Sequence, residues 1–522
     1  MSEDYEITLK PTSVTSSLGT FAINERYQAS KAEVHKSLAE NKPFPHFYFE
    51  DFLSDSLGVS LLAQELKAIK TWSRKANDLY SLQQTQDLNF FDWEKYPNLC
   101  LFRRFLKKQL KDYLKEVTNL DLNDHIACTG SRYFQTDTLL PHDDSLDERA
   151  IAFIFYLSED FTPEDGGELI VYDADLNTNR PTAEAKRFSP KQNSLFIFPV
   201  QTNTWHSVAE VLTDKVRLTL NGWFHVTGKK SAADPAPEAP LIKTSPELNV
   251  TLNDIRTWIN PTYVNVGAHK AIKKEFSLRS QLTLDNFFNE DYYFEVLKEL
   301  EASSFKVLGT IDRRNIERLD EKEIPKDGAL RKMLDLFRSE ATALFLTQWT
   351  GLKLYKVEDM DDPRPKKPRI EERVNDDVKI LSSLSRVKHR YYSLIDNQMA
   401  ADAEHNGYAL DLVMFFMKDK VWPADGGGFI SYAAENDPDE ILRIPPRKNS
   451  LAIVFREPGV MQFTKYANCL VQDQEYYVFN LTYFGINYEA DSELESNAAE
   501  DEDSFDDEEL EDDETEEPGP SK

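Results

Sequence analysis

Residues 139–157 read LLPHDDSLDERAIAFIFYL. The second half of this stretch alternates along a short apolar run, and a polar turn separates it from the first half. That is the pattern of two β-strands joined by a connection. Similar runs recur downstream: GELIVYDA at 167–174, NSLFIFPV at 193–200 and RLTLNGWF at 217–224. Short strands at this density, with turn signals between them, predict a β-sandwich or jelly roll. Asp-Gly-Gly sequences at 165–167 and 425–427 supply the positive φ that tight turns need.

The same stretch holds His142-Asp143-Asp144. In an extended segment, residues i and i+2 point to one side, so His142 and Asp144 can reach one metal ion while Asp143 faces away. A third ligand must come from elsewhere. His206, in TNTWHSVAEV, lies 64 residues on, far enough for a late strand to return beside an early one. Two imidazoles and a carboxylate make the facial triad that suits Fe(II) and leaves positions open for a bidentate 2-oxo acid and O2.

Arg217 follows His206 by 11 residues, at the start of RLTLNGWF. Its guanidinium can fork onto the distal carboxylate of 2-oxoglutarate. Tyr156, on the next apolar run after His142, and Tyr133, on the preceding strand, can donate hydroxyls to the same group. Each residue also has a plain structural reading. His206 beside Trp205 can be a packing residue, Arg217 can pair with Asp214, and Tyr156 can be core. His35, His46 and His225 lack such a setting and are read as structural; Asp165 is read as turn chemistry.

Composition narrows the function classes. The 522-residue chain is too long for one hydrophobic core. Its net charge is −30, and residues 489–517 hold 18 acidic side chains and no basic one. An acidic body repels phosphates, so a nucleic-acid substrate is not expected, whereas a basic protein partner is attracted. Cys100, Cys128 and Cys469 are odd in number and far apart, without disulfide or zinc spacing. No stretch of about 18 apolar residues predicts a membrane span.

The expected fold class is α+β, mainly β: two tandem double-stranded β-helix (jelly-roll) domains, each with flanking helices. Residues 1–40 are expected to be a flexible N-terminus and 41–227 the first jelly roll. A Pro/Ala-rich linker occupies 228–248. A second jelly roll fills 249–488, with a flexible insertion at 358–377, and 489–522 form an acidic disordered tail. The duplication rests on ordered matches, the clearest being YLSEDFTPEDGGELIVY from Tyr156 against FFMKDKVWPADGGGFISY from Phe416, an offset of 260. In the second copy His206 falls near Gln462, Arg217 on Tyr477 and Tyr156 on Phe416, while residues 399–404 replace the His-Asp-Asp. The scaffold therefore does without these groups, which argues that they carry chemistry in the first copy.

Four segments, PFPHFYFEDFL, LLPHDDSLDERAIAFIFYL, GGELIVYD and WHSVAEVLTDKVRLTLNGWFH, carry a wider likeness. Over residues 40–488 the chain resembles the two-domain prolyl 3-hydroxylases of the small-subunit ribosomal decoding-centre protein. This 2-oxoglutarate and iron-dependent oxygenase family includes the yeast termination-and-polyadenylation protein. The resemblance implies an active first jelly roll and an inactive second one. It implies Fe(II) held by His142, Asp144 and His206, and 2-oxoglutarate held by Arg217 with Tyr156 and Tyr133. It also implies O2 as co-substrate, ascorbate as a supporting reductant, and C3 hydroxylation of a proline in a basic small-subunit ribosomal protein, with effects on translation fidelity or termination. A monomer in cytoplasm and nucleus is expected. The basic cluster Arg364, Lys366, Lys367 and Arg369 is a candidate nuclear localisation signal, with an ordinary charged loop as the alternative. The competing reading from another class is a non-catalytic acidic module that chaperones basic ribosomal or chromatin proteins.

Overall fold

The computed structural model describes residues 18–230, 244–246, 250–354, 378–395, 402, 404–405, 407–434 and 440–486. The insertion at 358–377, its basic cluster and the tail at 489–522 lie outside the described residues, as do most of 228–248 and of 399–404. Among the described residues no helix is long and apolar enough to cross a membrane.

The N-terminal half contains β1 (Phe47–Phe49), β2 (Ser73–Ala76), β3 (Tyr80–Asp87), β4 (Ile126–Tyr133), β5 (Thr138–His142) and β6 (Arg149–Tyr156). It continues with β7 (Leu169–Ala174), β8 (Pro181–Phe188), β9 (Ser194–Pro199), β10 (His206–Val208) and β11 (Arg217–His225). These eleven strands form one curled antiparallel sheet in the order β1-β9-β6-β11-β4-β3-β5-β10-β7-β8, with β2 on β3. The mainly-β architecture with a curled sheet agrees with the jelly-roll expectation.

Strand β6 shows why the apolar runs are so continuous. Ile151, Phe153 and Phe155 face a helical layer built from Ser56–Ala68, Pro97–Phe105 and Lys111–Thr118. Ala152 and Tyr156 face the opposite way, into the roll, beside Leu169, Val171, Phe196 and Phe198. A strand covered on both sides loses the polar half of its alternation.

The C-terminal half contains β12 (Gln281–Asp285), β13 (Phe305–Leu308), β14 (Arg314–Leu319), β15 (Lys379–Lys388), β16 (Tyr392–Ser393) and β17 (Ala409–Phe416). It ends with β18 (Ile430–Ala434), β19 (Leu442–Ile444), β20 (Ser450–Arg456), β21 (Val460–Thr464) and β22 (Glu475–Phe484). Eight of them run β12-β20-β17-β22-β15-β14-β13 with β16 on β14, and three form β19-β18-β21. Read by position, β12-β20-β17-β22-β15-β14 follows the same order as β1-β9-β6-β11-β4-β3. Helices Glu290–Ala302, Ala329–Phe337 and Glu340–Thr350 supply buried side chains to one large core with this sheet.

One boundary needs correction. The expected loose N-terminus at 1–40 is not loose throughout: Glu25–Ala29 and Lys31–Glu40 are helices. Val34 and Leu38, one turn apart, are buried against the N-terminal core. Two apolar anchors at i and i+4 suffice to dock a short polar helix.

Candidate active site

The register of two strands brings the first site together. His206 lies directly opposite His142, but Val208 lies opposite Leu139. Three steps on β5 therefore face two on β10, which is a β-bulge. Leu139 packs inward with Val208, Leu82 and Tyr133. Leu140 turns outward against Tyr392 and Leu394. The bulge then re-aims His142 inward, the role bulges commonly have beside functional sites.

Strand β5 stops at His142. Asp144 sits beyond it in the left-handed region, with φ +61°. The pair therefore shares one side through a bulge and a turn, and not through the simple extended i, i+2 geometry expected from the sequence. Asp143 stays out of the cluster; its Oδ1 accepts the Ser145 N–H at 3.0 Å.

The outcome is close convergence. His142 Nε2 is 3.6 Å from Asp144 Oδ1, and His206 Nε2 is 3.5 Å from Asp144 Oδ2. One ligand atom from each of the three lies within 4.8 Å of the others, the only such group of three among the described residues. Each imidazole is fixed by a carbonyl. His142 Nδ1 faces Leu140 O at 3.0 Å and His206 Nδ1 faces Thr204 O at 2.8 Å. A carbonyl only accepts, so Nδ1 carries the proton and Nε2 presents its lone pair to the centre. Burial, with His142 adding to it, lowers the His206 pKa to about 4 and keeps the ring neutral. For Asp144 burial pushes the pKa upward, but in the acid range where it titrates the protonated His206 and His142, with the Trp223 hydrogen bond and Arg149, outweigh burial and hold the pKa below the usual carboxylate value.

Sequence reasoning missed the support around Asp144. Trp223 Nε1 donates to Asp144 Oδ2 at 3.0 Å. The Arg149 guanidinium stacks 3.5 Å from the Trp223 ring centre, with Nη1 3.5 Å from Asp144 Oδ1. A signal was available: Arg217, Thr219, Asn221 and Trp223 recur every second residue on β11, so they share a face. Trp223→Phe keeps the ring and removes the donor. It is expected to weaken Fe(II) binding about tenfold, the usual scale for losing an outer partner of a metal ligand; anaerobic Fe(II) titration measures it.

The three other predicted residues also meet. Arg217 lies opposite Tyr133 across β11 and β4, and Tyr156 lies opposite Thr219. Arg217 is 1% exposed. Its guanidinium carbon stands 5.0 Å from the Tyr133 ring centre and 5.3 Å from that of Tyr156. Nε donates to Gly167 O at 2.7 Å. Among the described residues, Arg217 Nη2 and the Tyr156 hydroxyl are both buried without a well-formed hydrogen bond, and their one polar neighbour is each other. Orphaned buried donors cost about 1–3 kcal/mol each, more on a charged group. An arginine and a phenol left this way fit a carboxylate delivered by a ligand. Burial raises the Tyr133 pKa to about 12 and the Tyr156 pKa further still, so both phenols stay protonated donors.

His46 is buried and stacked on Phe196, and His35 Nδ1 faces Val117 O. His225 stacks on His125. Asp165 caps the turn at Thr162 and pairs with Lys215 at 2.8 Å.

The C-terminal half corrects two positional matches. Phe416 and Tyr477 belong to the core that faces the helices, whereas Tyr156 and Arg217 face the interior of the roll. Strand pairing gives different positional matches. Phe415 lies opposite Ser450 as Tyr156 lies opposite Ser194. Tyr476 lies opposite Val387 as Arg217 lies opposite Tyr133. The Tyr476 hydroxyl donates to Gly428 O where Arg217 Nε donates to Gly167 O. Two extra residues between strand and turn shift the offset, from 259 at Phe415 to 261 at Gly428. Gln462 stands opposite Tyr432 as His206 stands opposite Val171, so that expected position holds. This interior closes on itself: Arg456 Nε donates to Asp411 at 3.0 Å, and Thr482 Oγ1 to Asp411 at 2.7 Å.

A curled antiparallel sheet carrying a His–Asp–His cluster defines a class. Residues 128–225 match the 2OG-Fe(II) oxygenase superfamily, and residues 251–491 match the oxoglutarate and iron-dependent oxygenase degradation C-terminal family. The chain is 32% identical to prolyl 3-hydroxylase OGFOD1 of Xenopus laevis, over 87% of this chain and 89% of the relative. It is 29% identical to that of Mus musculus, covering 83% and 86%, and 28% identical to prolyl 3-hydroxylase sudestada1 of Drosophila melanogaster, covering 87% and 85%. The chain belongs to the prolyl 3-hydroxylase OGFOD1 family of 2-oxoglutarate- and Fe(II)-dependent oxygenases.

Proposed function

We propose that this oxygenase hydroxylates C3 of a single proline in a basic small-subunit ribosomal protein, and through it affects translation fidelity or termination. His142, Asp144 and His206 hold Fe(II), and Arg217 with Tyr156 and Tyr133 holds the 2-oxoglutarate C5 carboxylate. With O2, the bound metal and co-substrate supply the oxidation of a C–H bond, and the co-substrate leaves as succinate and CO2. This chain's residues bind, orient and exclude water. The two Nδ1–carbonyl bonds fix the ligand tautomers, Trp223 and Arg149 hold Asp144, and the buried tyrosines keep the carboxylate pocket dry.

The observation that carries the reading is the pair of orphaned donors, Tyr156 Oη and Arg217 Nη2, buried in the same roll as the triad. The prolyl 3-hydroxylase names of the relatives support the residue and ring position. The net charge of −30 supports a basic protein substrate. We also propose that the C-terminal half is a second jelly roll without iron. Its matching strand order supports this, as do Gln462, Tyr476 and Phe415 standing for His206, Arg217 and Tyr156. The test is incubation of the full chain with small-subunit ribosomal proteins, Fe(II) and 2-oxoglutarate. Peptide mass spectrometry is expected to show a gain of one oxygen on one proline, and amino-acid analysis to give 3-hydroxyproline. Release of 4-hydroxyproline would overturn the ring position. Absence of succinate release would favour the non-catalytic binding module.

A further inference from the structure

The C-terminal half grips the outer faces of the two strands that carry the His ligands. Glu210 lies four residues after His206, and its side chain is 3% exposed. All three of its donors come from the other half of the chain: His389 Nε2 at 2.7 Å, the Tyr466 hydroxyl at 3.2 Å and the Cys469 backbone N–H at 2.6 Å. Within the N-terminal half, the Glu210 backbone is fixed by the Gly167 N–H on its carbonyl at 3.1 Å. Gly167 is the residue whose carbonyl holds Arg217 Nε.

A second grip acts on β5. Leu140, the outward residue of the bulge, packs on Tyr392 and Leu394 of the C-terminal half. Its carbonyl is the acceptor that orients the His142 ring. The bulge that aims His142 inward is therefore the same feature that offers Leu140 to the other half. Strands β5 and β10 are also tied to each other, Thr138 Oγ1 donating to Val208 O at 2.8 Å.

We propose that the C-terminal half is a positioning device for the metal centre, acting through Glu210 on the His206 strand and through Leu140 on the His142 strand. Glu210 is a positioning residue, since it touches neither metal nor co-substrate. A buried carboxylate that satisfies three donors across an interface has one arrangement, and removal of a donor leaves it under-paired. The strain then falls on β10 and on the Gly166–Gly167 turn, where a Cβ at Gly166 would already lie 2.0 Å from Glu210 O. The inference rests on the assignment of His142, Asp144 and His206 as the iron ligands.

The test uses the full chain with His389→Ala and Tyr466→Phe, singly and together, and Glu210→Gln as the variant that keeps shape. Asp312→Asn is the control. It weakens another contact between the halves, Arg180 to Asp312 at 2.5 Å, which involves neither β5 nor β10. Fe(II) is titrated anaerobically, the visible absorbance of the Fe(II)·2-oxoglutarate complex is recorded, and the metal-free Tm is measured. The double variant and Glu210→Gln are expected to bind Fe(II) about tenfold more weakly and to shift the absorbance band. The Asp312→Asn control is expected to match the parent in both. Unchanged Fe(II) affinity in the double variant would overturn the proposal, as would equal weakening in Asp312→Asn. Should the double variant fail to fold, the single variants and Glu210→Gln decide by the same criteria. Absence of Fe(II) binding in the parent would instead sink the ligand assignment itself.

Discussion

Replacement of His206 by alanine is expected to abolish Fe(II) binding at micromolar metal and to take prolyl hydroxylation below detection. The reason lies in how little the cluster can adapt. His206 is 4% exposed and its Nδ1 is committed to Thr204 O, so Nε2 is the only atom it offers. Asp143, the nearest spare carboxylate in sequence, is turned away onto the Ser145 N–H. No described acidic or histidine side chain outside the triad joins the group. Two remaining ligands cannot make a facial set of three. The loss should therefore exceed the roughly 10–100-fold typical of an outer partner such as Trp223. Folding should survive, because the alanine removes a ring that touches Phe198 and His142 but no backbone pairing of β10. Anaerobic Fe(II) titration with a melting curve separates the two effects. A variant that still bound Fe(II) like the parent would refute the assignment of His206.

The strands, and the residues that meet at the site, were legible in the sequence; the geometry that joins them was not. RLTLNGWF keeps its alternation because one face meets helices and the other carries polar groups into the roll, whereas AIAFIFYLS, apolar on both faces, is legible only as a short apolar run between polar turns. The His-x-Asp pair suggested a shared side, but the reason for it is a bulge at Leu140 and a left-handed Asp144. A bulge is defined by the opposite strand, and β10 is more than sixty residues away, so no local pattern encodes it. The offset of 260 misplaced Phe416 and Tyr477 by one residue for a related reason. Motif matching counts along the chain, while a strand inverts its faces with every single step. Strand pairing and the burial of Phe416 and Tyr477 against helices expose the slip. Trp223 was within reach of the period-two pattern on β11 and was missed because it looks like ordinary core. The grip on Glu210 was out of reach, since its three donors come from residues 389, 466 and 469.

Arg217→Met is expected to raise the KM for 2-oxoglutarate by roughly 30–150-fold while leaving Fe(II) affinity nearly unchanged. The range follows from losing about 2–3 kcal/mol of charge-assisted hydrogen bonding. Methionine fills much of the same volume, so the effect is one of charge and donors. The guanidinium is 1% exposed, donates through Nε to Gly167 O, and otherwise faces the Tyr133 and Tyr156 rings. No carboxylate of the chain pairs with it among the described residues. Arg217→Lys should also fail to restore binding fully, because an ammonium cannot fork onto a carboxylate. Tyr156→Phe gives the opposing signs that make the argument decisive. Among the described residues its hydroxyl has no well-formed protein partner, so removing it should leave Tm unchanged or raise it slightly, by relief of up to about 1 kcal/mol. The same change should weaken 2-oxoglutarate binding several-fold, because the proposed co-substrate pocket uses that hydroxyl as a donor. A structural tyrosine would instead lose stability or lose nothing. Initial-rate kinetics with varied 2-oxoglutarate, set beside thermal melts of the metal-free proteins, read both signs. A Tyr156→Phe protein that lost stability and kept its KM would remove this tyrosine from the co-substrate pocket.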